Sequence, residues 1–549
     1  MMKKRGRKIL ASMLALAIAL TGCAPKSADS GQEDGENASV SAQSSEDGKT
    51  LTIGTTYTVS TFVPWKSTSD GDRYILSNVY ESLIEYDTQG NFLPGLAESW
   101  KNTDDLTWVF HLRDNSFWQT GNDLFGDEKI PVTAQDVKNV FDFVMDEKNE
   151  AARRSSLTES IDHIEVVDDS TIKFITKKPE ALFLMTLSNI YLFPTKAVEE
   201  NFDLAKHPVG SGPYKFESYA TDDQTVLVKN EDYYIEPGLD KVIYKIIPDK
   251  AVAAIALQNN EIDIAVQLLS TDLEAVAEKE NVKLLANPLG WYRYMGFNFE
   301  DPLLSDPDVR KAILMAVDTE SAVKAIFAND AGITLAKRAW GPIPLEFPGA
   351  DEAAWKEAYP AYDPEGAKAL LESKGWSLGS DGIYEKDGQK LEFVLKTVNT
   401  DPNMKFGVII STELKKAGIN CIPQPTEYAT LTSDIKSSNV QAFVMGGGST
   451  LDGLNMLFHS EKSKMTAHRT NYSNPELDAK LDEAFATLDE EARAKLLTEA
   501  SLMTIEDCVH MGGFFEYVQL GMNTRVKDFE NLPVLWCSLT NSTRNVTVE

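Results

Sequence analysis

Apolar positions along this chain repeat with two different periods, and the two alternate. Leu51-Thr-Ile-Gly-Thr-Thr56 has the period of a strand. Trp108, Phe110 and Leu112 alternate with Val109, His111 and Arg113, which predicts a strand with one face buried. Thr133-Ala-Gln-Asp136 is an acidic capping box. It predicts a helix whose apolar face is Val137, Val140, Phe141, Val144 and Met145. Leu391, Phe393 and Leu395 mark another strand. Asp363-Pro364 starts a helix that Gly375 should end just past Lys374, with proline first and glycine last. Asn474-Pro475 opens a long helix through Leu477, Leu481 and Phe485. Strands alternating with helices predict an α/β chain, and no repeat of fixed period is evident.

The N-terminus follows another rule. Lys3, Lys4, Arg5, Arg7 and Lys8 precede an apolar run from Ile9 to Leu20, which has the length of a secretory h-region and is too short for a spanning helix. Leu20-Thr-Gly-Cys23 resembles the lipobox of bacterial lipoproteins. That resemblance implies a signal peptide over residues 1–22, cleavage before Cys23, and a diacylglycerol on its thiol. Residues 24–49 are rich in Ser, Gly, Asp, Glu, Gln and Asn, with Val40 the only large apolar side chain. Such a segment cannot bury enough surface to offset its ordering entropy, so residues 23–49 are expected to form a flexible tether. Its square-root reach is roughly 25–30 Å.

Composition sharpens the picture in places. The chain has 549 residues and a formal charge of −31, and removing residues 1–22, with five cations and no anion, makes it −36. That excess of acid argues against nucleic acid or an anionic surface as partner. After Cys23 only Cys421, Cys508 and Cys537 remain, without a Cys-x-x-Cys pair, so at most one disulfide could form. The six histidines show no zinc-site spacing, so no metal or other cofactor is expected. Gly210-Ser-Gly-Pro213 precedes an extended segment, Tyr214 to Tyr219, and so reads as a turn into a strand instead of a phosphate loop. Gly446-Gly-Gly448 likewise lacks a following Lys-Ser/Thr.

Several short stretches occur in a fixed order: Phe92-Leu-Pro-Gly-Leu-Ala-Glu-Ser-Trp100, Leu106-Thr-Trp-Val-Phe-His-Leu-Arg113, Val209-Gly-Ser-Gly-Pro-Tyr-Lys-Phe216, Lys229-Asn-Glu-Asp-Tyr-Tyr234, Asp308-Val-Arg-Lys-Ala312 and Tyr472-Ser-Asn-Pro-Glu476. Together, from about residue 51 to the end, they resemble the bacterial extracellular solute-binding proteins of family 5, the large peptide- and nickel-binding proteins of ABC importers. The resemblance implies a two-lobed, periplasmic-binding-protein-like α/β fold of the type II class with an extra subdomain, its lobes joined by a hinge. The implied division is lobe I over 50–75, 195–290 and 512–549, the subdomain over 76–194, and lobe II over 291–511. The chain would cross between lobes near Trp291–Asn298 and near Met511–Glu516. The implied ligand-binding residues are Tyr57, Trp65, Trp291, Arg293, Tyr294, Trp340, Ser449, Asp452 and Phe515.

One departure concerns the ligand. Peptide-binding relatives place a tryptophan after a glycine, then an aspartate for the ligand's α-amine. Here that region reads Val444-Met-Gly-Gly-Gly-Ser-Thr-Leu-Asp-Gly453, with the amine position near Ser449 and a later acid at Asp452. A hydroxyl cannot replace a charge-assisted bond. The implied function is capture of a di- or oligopeptide by a monomeric, lipid-anchored protein on the outer face of a cell membrane. A permease and its ATPases would receive the ligand. A nickel chelate, oligosaccharide or amino-acid derivative is the alternative. A surface hydrolase is remote: Ser433-Asp-Ile-Lys436 lacks the other motifs of penicillin-binding enzymes, and no Gly-x-Ser-x-Gly is present.

Overall fold

The computed structural model describes residues 49–86, 91–329, 332–447, 452–529 and 546–549. The signal segment, Cys23, the tether to residue 48, Ser449 and Cys537 lie outside the described residues.

Local patterning becomes local structure where both halves of a signal were present. Thr133 caps the helix Ala134–Met145 with the full reciprocal box: its side chain accepts from Asp136 N while Asp136 accepts from Thr133 N. Val137, Val140, Phe141 and Val144 are buried as expected. Asp363 caps Pro364–Ser373, and Gly375 follows at φ 87°, the left-handed region that favours glycine. Asn474 caps Pro475–Ala486. The strand Thr107–Leu112 departs from its predicted alternation, because Val109 is buried along with Trp108, Phe110 and Leu112. Gly210 and Gly212 do precede the strand Tyr214–Ala220, but the need for glycine is close approach. A Cβ on either would sit 2.2 Å from Val79 O or 2.5 Å from Asn78 O at the end of the helix Asp70–Val79.

Among the described residues the main sheet has eleven strands. Its order is Tyr214–Ala220, Gln224–Lys229, Lys241–Ile246, Thr50–Thr55, Ile264–Ala265, His510–Asn523, Val282–Phe297, Ala442–Gly447, Glu392–Val398, Asn420–Thr426, with Ala336–Arg338 pairing on His510–Asn523. Parallel pairs, such as Thr50–Thr55 with Lys241–Ile246 and Glu392–Val398 with Asn420–Thr426, flank an antiparallel centre. A separate four-stranded antiparallel sheet is built from Ala97–Asn102, Thr107–Leu112, Thr171–Thr176 and Ile161–Val166.

The interior is divided into clusters. One large cluster draws on Leu51 to Val266, then on Leu520 to Val546; the other runs from Tyr292 to Phe515. A smaller third cluster spans Ile247 to Leu335. The two long strands Val282–Phe297 and His510–Asn523 run past this division together. Leu285 and Leu520 contact the first cluster, whereas Tyr292, Tyr294 and Phe515 belong to the second. Their pairing is irregular where the clusters change, with register shifts between Pro288 and Tyr292 and between Arg293 and Tyr294. Arg310, nearly fully buried, fastens the helix Pro307–Ala316 beside the start of the second long strand by donating to the carbonyls of Leu304, Ser305, Asp507 and Cys508. Cys421 and Cys508 are free thiols, and burial pushes them up to about 12 and about 11, far from reactivity.

Candidate functional site

The irregular stretch of the two long strands brings polar and aromatic side chains together. Tyr292 pairs with Phe515, and Pro288 pairs with Tyr517, so residues 289–291 have only Glu516 opposite them. Arg293 lies diagonally across the ladder from Glu516 and donates its Nε to Glu516 Oε1 at 2.6 Å. The guanidinium also stands over the Trp291 ring, 4.9 Å from its centroid. On the neighbouring strand Ala442–Gly447, Gly446 leaves room for it, since a Cβ there would lie 2.3 Å from Arg293 Nη1. Trp291, Arg293 and Glu516 are partly buried, so these side chains form a shielded but open wall.

Tyr294 and Phe515 are placed otherwise. Tyr294 is fully buried, donates to or accepts from His468 Nδ1 at 2.9 Å, and stacks on His510 at 3.9 Å between centroids. Phe515 packs on Tyr292 at 5.8 Å and is also buried. Both belong to the packing beneath the wall. Their removal from solvent follows from strand alternation, which turns neighbours of Arg293 and Glu516 inward. Burial holds His468 down at about 4 and depresses His510 as well, so the imidazoles are neutral in this aromatic stack.

Tyr57 follows the first strand and is fixed from two sides. Its hydroxyl accepts from Gln267 Nε2 at 2.6 Å, and its ring meets Tyr74 edge-on at 5.5 Å. The loop after it is held by buried Asp72, which accepts from Ser60 N, Ser60 Oγ and Thr61 N. Trp65 on the same loop packs against Phe143 and Phe193 at 4.9 and 4.8 Å, so it serves the core beside the four-stranded sheet.

Asp452 and Trp340 line separate hollows. Asp452 borders a groove of about 530 Å³ shared with Ser160, Glu180 and Met185 on one side and Lys462, Asp482 and Phe485 on the other. The groove's two sides are joined by Ala181 N donating to Phe485 O at 2.9 Å. Burial raises the Glu180 carboxyl. Trp340 borders a cavity of about 480 Å³ with Lys324, Phe327, Lys337 and Lys356. It meets Tyr359 edge-on and lies under the Arg338 guanidinium at 4.8 Å. The described members of the predicted set are thus divided among the strand-pair wall, the loop after the first strand, one groove, one cavity and the core.

Glu516, His468 and Gln267 were not in the predicted set. Glu516 had a signal, being a lone charge in the run His510-Met-Gly-Gly-Phe-Phe-Glu-Tyr517. His468 and Gln267 had none, because only folding brings them beside Tyr294 and Tyr57. Among the described residues no group of three or more His, Cys, Asp or Glu side chains could hold a metal ion. No helix among them is long and apolar enough to cross a membrane.

Comparison with known proteins gives a consistent result. The description "bacterial extracellular solute-binding proteins, family 5 Middle" matches residues 91–464. The oligopeptide-binding protein AppA of Bacillus subtilis (strain 168) is 28% identical over 513 residues, 90% of this chain and 90% of its own. The crystal structure of NikZ from Campylobacter jejuni in complex with Ni(L-His) is similar with a TM-score of 0.69 at 25% identity, covering 91% of this chain and 99% of that one. The structure of HbpA2 from Haemophilus parasuis reaches a TM-score of 0.79 at 22% identity, over 91% and 100% of the two chains.

Proposed function

Because the chain belongs to the bacterial extracellular solute-binding proteins of family 5, non-catalytic proteins that work outside the cytoplasm, we propose that it captures a short peptide and delivers it to an ABC permease. The observation that carries this reading is the pair of long strands that passes from one hydrophobic cluster to the other with an irregular register at Pro288–Tyr292. Two cores joined by two strands form a hinge-linked clamp, with lobe I, its subdomain and lobe II divided as the resemblance implies. Closure then adds contacts from the second lobe, and that difference in contact stabilises the liganded form. Trp291, Arg293, Tyr57 and Asp452 form the first set of ligand contacts in this reading, with Trp340 and Ser449 as further members. Lipid on Cys23 holds the body near the outer face of a membrane while the tether lets it swing to the permease.

Oligopeptide binding by the Bacillus subtilis relative supports peptide as the solute. A second reading, a non-peptide solute such as a nickel chelate, is favoured by Gly446-Gly-Gly-Ser449, where the amine-binding acid is absent, and by the Ni(L-His) held by NikZ. Thermal melting of the mature chain against di- to hexapeptides, free amino acids, nickel–histidine and oligosaccharides separates the two. A ligand at a hundred times its Kd adds about 2.7 kcal/mol to the folded state, which for a body of this size is a shift of about 2–3 °C. The expected outcome is a shift with peptides. No shift with any peptide, together with a shift by another class, would replace the peptide assignment.

A further inference from the structure

Arg293 is held in place at one edge and offers the other. Its Nε is engaged by Glu516 Oε1, its face rests on Trp291, and its Nη1 lies over the backbone of Gly446. Yet neither Nη1 nor Nη2 donates a hydrogen bond among the described residues, and only 14% of the side chain is exposed. Glu516, 20% exposed, likewise uses one carboxylate oxygen and leaves Oε2 without a protein donor there. The arginine side chain is largely withdrawn from bulk water, and in such a setting a charged hydrogen bond is worth more than at an open surface.

We infer that Arg293 is the anchor for a carboxylate of the solute, with Glu516 as its positioning residue. The inference rests on the reading of this chain as a solute-binding protein whose guest lies against the paired strands. The planar terminal edge of a guanidinium matches a carboxylate in a two-bond fork, and here its orientation is already set before the guest arrives. Charge selects the guest further. Arg293 and Glu516 together are neutral, so a monoanion meets one cation at its fork and one anion beyond. A phosphate dianion would add repulsion from Glu516 without a second cation to offset it. The free Oε2 of Glu516 offers an acceptor for an N–H of the same guest. Gly446 is required because any side chain there would displace the guanidinium from this position.

Calorimetric titration of the mature wild type and Arg293→Gln with alanine tri- to pentapeptides, and with their C-terminal amides, tests this. The wild type should prefer the acids by about 10- to 100-fold, the range of one hydrogen-bonded charge. R293Q should bind acids and amides alike, so that the acid-to-amide preference falls to about one, while a cooperative melting transition shows that the variant still folds. Arg293→Lys, which keeps the charge and loses the fork, should recover part of the preference. Equal wild-type affinity for acid and amide, or an equal loss of both in R293Q, would make Arg293 a strut between strands and overturn the inference. If no peptide binds in either form, the peptide reading fails and histidine against histidinamide decides the carboxylate assignment. Binding of inorganic phosphate that R293Q abolishes would reassign the fork to phosphate. Silence from all of these probes would overturn both readings.

Discussion

Gly446 and Gly447 differ in what presses on them. A Cβ at Gly446 would meet Arg293 Nη1, the far end of a flexible side chain, at 2.3 Å. At Gly447 it would meet His468 Cε1 at 2.2 Å, a ring already fixed by Tyr294 and buried. The first neighbour can swing aside, and the second cannot. Gly447→Ala should therefore cost about 1–3 kcal/mol, the usual penalty for overpacking, and Gly446→Ala less than half of that. Urea unfolding of both variants measures the difference, and equal stabilities would refute the assignment of His468 as the rigid neighbour. None of this asymmetry is legible in Gly446-Gly-Gly448, where the residues look alike. The cause is what folding lays against each of them.

At the scale of elements, helix ends were the best-read feature. Thr133, Asp363 and Asn474 all cap helices whose first residues follow them in the chain. A cap joins groups two or three residues apart, so its energy does not wait for tertiary structure. Thr133→Ala should remove about 1 kcal/mol, as should Asp136→Ala, since each breaks the same reciprocal box. Because they share it, the double variant should lose less than the sum of the singles, and strict additivity in a denaturation cycle would show two independent bonds. Strand faces were read less well. Val109 was expected to face solvent and is buried, whereas His111 on the same side of this antiparallel strand is exposed, so the covering of that face is local to Val109 and depends on tertiary packing. Trp65, Tyr294 and Phe515 fit a binding wall by residue type alone. Phe143, His510 and Tyr292, which enclose them, are supplied by distant segments.

For the whole molecule, two buried groups oppose each other in their pH dependence. Burial raises the Glu81 carboxyl to about 7, although Tyr233 and Tyr234 hydroxyls donate to it. Folded Glu81 therefore keeps a proton that the unfolded chain releases above about 4.5. Its contribution is complete below that pH and is lost as pH rises through 7. His468 runs the other way. With its folded value near 4, the folded chain rejects a proton that the unfolded chain takes up below about 6.5. Its contribution is present above 6.5 and is lost as pH falls toward 4, and His510 adds in the same sense. Each effect reaches up to about 3 kcal/mol at full expression. Glu81→Gln, which keeps an acceptor for both tyrosines, should remove the decline between pH 4.5 and 8 and leave the acid-side loss intact. His468→Gln should weaken the acid-side loss. Urea midpoints at pH 5, 6.5 and 8 check both signs, and an unaltered slope in E81Q would remove Glu81 from the account.

The sequence by itself determined what depends on near neighbours: the alternation of strands and helices, the caps, and the ordered short stretches of its family. The tertiary structure decided which aromatics line the strand-pair wall and which pack on each other, why Gly446 and Gly447 differ in what a side chain would meet, and how Arg293 meets Glu516 223 positions away. The physical reason is range. A cap or an amphipathic period is settled by groups within one turn, whereas burial and the pairing of charges depend on which distant segment arrives opposite, and that is fixed only when the two long strands align.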